Sequence, residues 1–568
     1  VSTTSTKSGN KQRAPRQKSN ATAKTAELSE SGQNEMPESA WRLSALAILI
    51  VGAMVRLYNL ALVPLHHDEG VNGNFLVSLV KEGQYVYNPE NYHGPTLYYF
   101  SAIIPWLTRF LGGKNFSEAH GLTTFNIRFV TVAFGIATIG LALMLRSRLG
   151  TIGALSAAGL IAISPGAVYL SRYFIHESLY VFFTLGIIVA VVKYYDTGDT
   201  VYAILAALSA GLMVATKETW IMNDPVLLLA LITTTLYFLI RQKLSGNPIV
   251  NARKANDDGE EDFLARFGGP ISVATVALIA FTVFIVVNVL FYSSFFKNYP
   301  KGVNDALETL SMWRKRTHEH EHKWWQYIYW LLQEEGLVLI LGGIGALIAV
   351  WRANNRFAVF IGQVAFGLLA AYSLVGYKTP WIGLNFIVPL ALIAGYALEV
   401  AFQKLREFQQ PKFFLVPAVL IVLFCGYQLY QLNFVHYDDD QYAYVYAHTR
   451  RETLVMLDQI DRVANQLKTG NDTGIALLSP EYWPLPWYFR NYHRVGYYQK
   501  VVPTTEPIII ASRGQEEEMR TTFGEQYQQI DSSQLSDPRV DPEKNPGGSF
   551  NLRPGVELLL YVRRDVAK

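Results

Sequence analysis

Half of the 568 residues are apolar and only 17% are charged, and the charges recur mainly between long hydrophobic blocks, which excludes a soluble multidomain protein and indicates a polytopic membrane one. A net charge of +3, with no basic stripe interleaved with aromatics, excludes a nucleic-acid-binding role. The single cysteine, Cys425, leaves no intramolecular disulfide to form.

The first 40 residues are rich in Ser, Thr, Lys, Asn and Gln and carry six Lys or Arg before the first acid, Glu27. A disordered basic tail on the cytoplasmic side is expected, without the prompt apolar core of a signal peptide. Eleven apolar runs follow, near 42–62, 126–145, 151–170, 178–194, 201–217, 220–240, 270–292, 336–351, 357–376, 382–402 and 413–430, each long enough to approach the roughly 30 Å of a bilayer core. Arg146 and Arg148, between the second and third runs, belong on the same side as the tail by the positive-inside rule. The loop 63–125 then lies wholly outside, and 95–111, with its two prolines, reads as an interfacial helix. The same parity puts Lys193, the loop 241–268, Arg352, Arg356 and 404–412 inside. Residues 171–178, 217–219, 292–325 and 377–381 fall outside. Beyond the last run, 431–568 reads as an extracytoplasmic soluble α/β domain. Its expected elements are a helix over 452–466, strands over 474–478, 507–511 and 556–562, and a helix over 515–522. The fold class is mainly α, a multi-pass plasma-membrane protein with about 11 transmembrane helices over 41–430.

The polar residues least at home in a bilayer thus gather on one face. His67-Asp68-Glu69 follows the first span directly; adjacent acids point apart, so one suits a general base while the other holds a cation or a donor hydroxyl, and both also suit a merely solvated membrane edge. His93-Gly94-Pro95-Thr96 opens the interfacial helix, whose free N–H groups would meet an anion, though proline is also an ordinary helix starter. Arg128, Arg172, Lys217 and Lys378 are lone cations at outer helix ends, a pattern for holding phosphate or for snorkelling. Glu177 and Glu218 stand beside two of them, which favours a shared polar cavity. His318, His320 and His322 could share a face for a divalent metal such as zinc, or contact a head group or sugar.

Assembled in this order, the chain resembles the GT-C glycosyltransferases, users of polyprenyl-phosphate sugars that include protein O-mannosyltransferases and aminoarabinose lipid A transferases. The resemblance covers about 42–405. It rests on Asp68-Glu69, His93-Gly94-Pro95, Arg128, Ser171-Arg172 with Glu177, Thr216-Lys217-Glu218 and Lys378-Thr-Pro-Trp381. His66-His-Asp-Glu-Gly70, Tyr92-His-Gly-Pro-Thr96, the His-rich stretch before Trp324-Trp325 and Tyr482-Trp-Pro-Leu-Pro-Trp487 are similar to a prokaryotic branch of flippase-activity-associated proteins. The resemblance implies sugar transfer from a polyprenyl-phosphate donor, with inversion, to an extracytoplasmic protein, lipid or glycan acceptor. Asp68 would be the base, and Lys217, Lys378, Arg128 and Arg172 would hold the lipid phosphate. A single proline after Gly94, and Glu177 where an Asp is common, depart from the pattern. The alternative is a non-catalytic carrier of a lipid-linked glycan or a flippase accessory.

Overall fold

The computed structural model describes residues 36–91, 93–245, 267–313, 321–543, 545 and 547–566. The chain divides into two units, 1–46 and 47–568. The described part of the first, 36–46, holds the opening turns of helix α1 (Glu38–Leu57), where Arg42 reaches Glu38 at 3.1 Å. The expected tail lies almost wholly outside the described residues.

After α1 come α2 (His67–Lys81), α3 (Thr96–Phe116), α4 (Thr124–Leu143), α5 (Thr151–Ile163), α6 (Pro165–Ser171), α7 (Glu177–Thr197) and α8 (Thr200–Val214). They continue as α9 (Trp220–Ser245), α10 (Gly269–Tyr292), α11 (Lys301–Trp313), α12 (Gln326–Arg352), α13 (Arg356–Leu374), α14 (Leu384–Glu407) and α15 (Leu415–Tyr430). Among the described residues nine helices are long and apolar enough to cross a bilayer, and α5 with α6 makes a tenth span bent by 58°. The bend has a local cause: Pro165 has no N–H to continue the ladder, and Ser164 Oγ caps the new helix by accepting from Ala167 N at 3.0 Å. With the 15-residue apolar α8, all eleven expected runs are helical. The chain is a multi-pass membrane protein.

Asn355 Nδ2 donates to Arg148 O at 2.7 Å, and Glu399 Oε2 accepts from Gly153 N at 2.8 Å, so the basic turns meet at one end of the bundle. The polar loops meet at the other. α12 begins at Gln326, ten residues ahead of the expected 336. Glu334 and Glu335, just ahead of the expected run, are buried within it because Ala443 N, Ser164 Oγ and Gly166 N donate to their carboxylates. In α3, Ile103, Trp106, Leu107, Phe110 and Leu111 are exposed along its second half, as an interfacial helix requires.

Residues 475–563 build a six-stranded mixed sheet from β1 (Ile475–Leu477), β2 (Val495–Tyr497), β3 (Ile508–Ser512), β4 (Tyr527–Ile530), β5 (Phe550–Arg553) and β6 (Val556–Arg563). Its order is β2-β1-β3-β6-β4, with β5 also on β6. β1 pairs in parallel with β2 and β3, and β6 runs antiparallel to its neighbours. Helix α16 (Glu452–Leu467) covers one face through Val455, Met456 and Ile460, and α17 (Glu516–Phe523) covers the other through Met519 and Phe523. Strands β2, β4 and β5, not expected from the sequence, are only three or four residues long.

This region presses on α2. A Cβ at Gly70 would stand 2.5 Å from Pro484 Cβ and 2.7 Å from its Cα, and one at Gly73 would stand 2.6 Å from Trp487 Cε3. Tyr488 OH accepts from Leu65 N at 2.8 Å, just before the helix. Gly70→Ala is therefore expected to cost about 1–3 kcal/mol by overpacking. Thermal unfolding of the detergent-solubilised protein should show a lower midpoint; an unchanged midpoint would mean that the contact yields freely.

Candidate functional site

The start of α2 separates the two adjacent acids. His66 caps the helix: its Nδ1 accepts from Asp68 N at 3.0 Å, and Glu69 Oε2 returns to accept from His66 N at 3.0 Å. That reciprocal cap turns Glu69 inward. There Arg128, from the first turns of α4, grips it with two parallel bonds, Nε to Oε1 and Nη2 to Oε2, both 2.7 Å, and Phe174 N donates to Oε1 at 2.7 Å. Arg128 Nη1 also donates to the carbonyls of Leu60 and Val63 at 3.0 and 2.8 Å. Both side chains are 1% exposed, whereas that of Asp68 is 40% exposed. Glu69 and Arg128 are thus a buried brace joining α2, α4 and the turn after α6, while the Asp68 side chain is part-exposed.

His66 cannot neutralise Asp68 despite a separation of 3.8 Å. Its Nδ1 is already an acceptor, so the ring proton lies on Nε2, which donates to Tyr446 O at 3.1 Å. Burial pushes this imidazole down to about 4, against the opposing pull of Glu69 and the Tyr446 carbonyl. A histidine with a depressed folded pKa contributes stability that is full above its unfolded value of 6.5 and lost as pH falls toward about 4. For His66 that contribution is on the order of 3 kcal/mol. His176 and His448 are depressed by burial in the same direction. The thermal midpoint should therefore fall as pH drops through 6.5. His66→Asn, which keeps a capping side chain without titrating, should flatten part of that slope; an identical slope would contradict the assignment.

Asp68 lines a cavity of about 270 Å³ at the polar end of the bundle, together with His67, His93, Glu177, Lys217 and Glu218. Four expected residues lie elsewhere: Glu69, Arg128, Arg172 and Lys378 do not line it. The strand-like pairing of His93 with Lys217 joins two of the cavity's walls, Gly94 N donating to Thr216 O at 3.0 Å. A Cβ on Gly94 would come within 2.1 Å of Ala215 O, so glycine is what permits the approach. Lys217 Nζ donates to Glu177 at the first turn of α7. His93 Nδ1 lies 3.0 Å from Glu218 Oε2. Burial opposes ionisation of Glu218, but His93 and Lys217 beside it hold its carboxyl below the usual range. Burial also lowers His67, with Asp68 opposing. Lys217 is the one Lys or Arg among the described residues in the lining.

The other expected cations serve backbone. Arg172 donates to the carbonyls of Val55 and Asn59 at 3.1 and 2.9 Å and lies over the Phe434 ring at 4.6 Å. Lys378 donates to Val375 O and sits 5.8 Å from the Tyr327 ring centre, although Tyr377 and Thr379 on either side of it line the cavity. Of the three histidines expected near 320, His318 and His320 lie outside the described residues. His322 N donates to Gly376 O at 3.1 Å, and its ring packs on Trp330. Among the described residues no three His, Cys, Asp or Glu side chains are grouped to hold a metal ion.

Asn72, Glu90, Tyr327, Tyr372 and Trp381 complete the wall. None was singled out from the sequence as a site residue. Asn72 had a signal, lying four residues after Asp68 on the same helical face. It is fixed by donating to Phe174 O at 3.1 Å and accepting from Tyr98 OH at 2.9 Å. The tyrosines come from helix ends, Tyr327 from the first turn of α12 and Tyr372 from the last turn of α13, and both are buried, so that a polar cavity wall and a core position read alike.

Residues 103–246 match a family model described as dolichyl-phosphate-mannose-protein mannosyltransferase. No curated protein matches the chain. Among solved structures, ArnT from Cupriavidus metallidurans bound to undecaprenyl phosphate is similar with a TM-score of 0.55 at 14% identity, over 92% of this chain and 98% of that one. Its apo state gives 0.51 at 13% identity over the same shares. The Archaeoglobus fulgidus oligosaccharyltransferase in the apo form gives 0.50 at 13%, over 87% of this chain and 73% of that one. At such identities the likeness is one of fold, and it extends over nearly the whole chain.

Proposed function

We propose that the chain is a GT-C-type membrane transferase moving a sugar from a polyprenyl-phosphate-linked donor to an extracytoplasmic acceptor, a reading supported by the family match over 103–246 and the fold it shares with ArnT. The observation that carries this reading is the shared cavity: the carboxylate of Asp68 and the cation Lys217 line one polar space. Asp68 takes the proton of the acceptor hydroxyl, the oxygen bonds to the anomeric carbon, and the bond from that carbon to the phosphate oxygen breaks with inversion. The electron pair leaves with the lipid phosphate, whose charge is met by Lys217.

Glu177 holds Lys217 in place, and His93 with Glu218 forms the adjoining wall, where His93 is a second donor to phosphate oxygens. His67, beside Asp68, is a donor to the acceptor or sugar hydroxyls. Glu69 and Arg128 act as positioning residues that hold Asp68 toward the cavity. Arg172 and Lys378 keep the surrounding loops in place. The family match and the lipid phosphate carried by ArnT in its solved structure support a lipid-linked donor.

The test is purified protein in lipid nanodiscs given radiolabelled polyprenyl-phosphate sugars. Label transferred to an acceptor, or released from the lipid, supports the reading. Tight retention of intact donor without turnover would replace it with the carrier reading.

A further inference from the structure

We infer that a second pocket, between interfacial helix α3 and the turn after α10, binds the head group of an anionic membrane phospholipid. The pocket holds about 320 Å³ and shares no lining residue with the catalytic cavity. Arg109 and Lys297 supply its charge, and Tyr85, Tyr99, Trp106 and Phe295 supply its aromatic walls.

Three observations point to a phospholipid. First, both cations lack an acidic partner among the described residues. Arg109 Nη1 reaches Val80 O at 3.4 Å and Lys297 Nζ reaches Gly83 O at 3.1 Å. These are neutral carbonyls at the end of α2, so two positive charges converge without compensation, which suits a phosphate diester. Second, the surface beside them is apolar and open: Ile103, Leu107 and Phe110 of α3 are 54%, 55% and 86% exposed, and Phe296 on the facing turn is 61% exposed. Charge for a head group therefore adjoins a face for acyl chains.

Third, the turn that presents Lys297 is held in a costly conformation. Ser294, Phe295 and Phe296 take φ of 53°, 55° and 67° in succession, a left-handed run that residues other than glycine seldom adopt. Ser294 Oγ donates to Tyr85 O at 2.5 Å, and the Phe295 ring packs on Tyr99 at 5.0 Å between centres. The strained turn is thereby fixed to the pocket's far wall, and its Lys297 lines the same pocket as Arg109. The pocket lies at the same end of the bundle as the catalytic cavity, since Tyr292 OH, at the close of α10, donates to Val214 O just ahead of the Lys217 loop. The segment 82–91 runs from Tyr85 in the one to Glu90 in the other.

The full chain in detergent is titrated with phosphatidylglycerol or phosphatidylcholine, and retained lipid is read by native mass spectrometry. Preferential retention of phosphatidylglycerol is expected, falling about fivefold for each cation removed in Arg109→Gln and Lys297→Gln. Arg109→Lys with Lys297→Arg should keep the preference, as should Lys404→Gln at the opposite end of the bundle. Equal retention of the two lipids would overturn the inference. So would an unchanged preference in Lys297→Gln, an exposed turn position whose replacement leaves folding intact.

Discussion

Asp68→Asn is expected to lower the turnover of sugar transfer by about 10²–10⁴-fold, the range for losing a general base, while donor binding and the thermal midpoint change little. The amide is nearly isosteric, the side chain is 40% exposed, and the His66 cap uses the backbone N–H of residue 68 rather than its carboxylate. What is lost is the acceptor for a proton. Single-turnover transfer and donor retention, measured side by side, separate this from a binding defect. Turnover equal to the parent would remove Asp68 from the chemistry, and loss of binding alone would make it a ligand for the substrate.

The second large effect is on stability. Arg128→Met is expected to cost about 3–5 kcal/mol, because it leaves the Glu69 carboxylate charged and buried without its partner. Lysine should not rescue it: an ammonium cannot reproduce the two parallel bonds to Glu69 and still reach the Leu60 and Val63 carbonyls. Combining Arg128→Met with Glu69→Gln should restore part of the loss, since no uncompensated charge then remains. Thermal unfolding and expression yield report both. A double variant no more stable than the single would place the cost in lost packing and not in the stranded carboxylate.

Much of the fold was legible because a bilayer enforces a simple code. Each of the eleven apolar runs is helical, and the turns at Arg148 and Asn355 meet at one end of the bundle. The start of α12 was hidden, since the apolar run opens only at 336 and the donors from 164–166 and 443 that hold Glu334 and Glu335 ahead of it are remote in sequence. The candidate site was legible in its members more than in their division of labour. Asp68, Glu177, Lys217 and Glu218 do line one cavity. Nothing in the pair Asp68-Glu69 says which acid faces it, because that depends on a return bond to His66 and on an arginine 59 residues away. Arg172 and Lys378 show the same limit: a cation at a helix end reads alike whether it awaits an anion or caps a carbonyl.

The pressure of Pro484 and Trp487 on two glycines of α2 means that the final quarter of this protein is no interchangeable cassette. A chimera that grafted this region onto another bundle with bulkier side chains at those two positions would tilt the helix that carries Asp68, and one that removed it would leave that helix unroofed. Recombination among proteins of this fold is then expected to move the carboxylate's helix and its cover as a single inherited block.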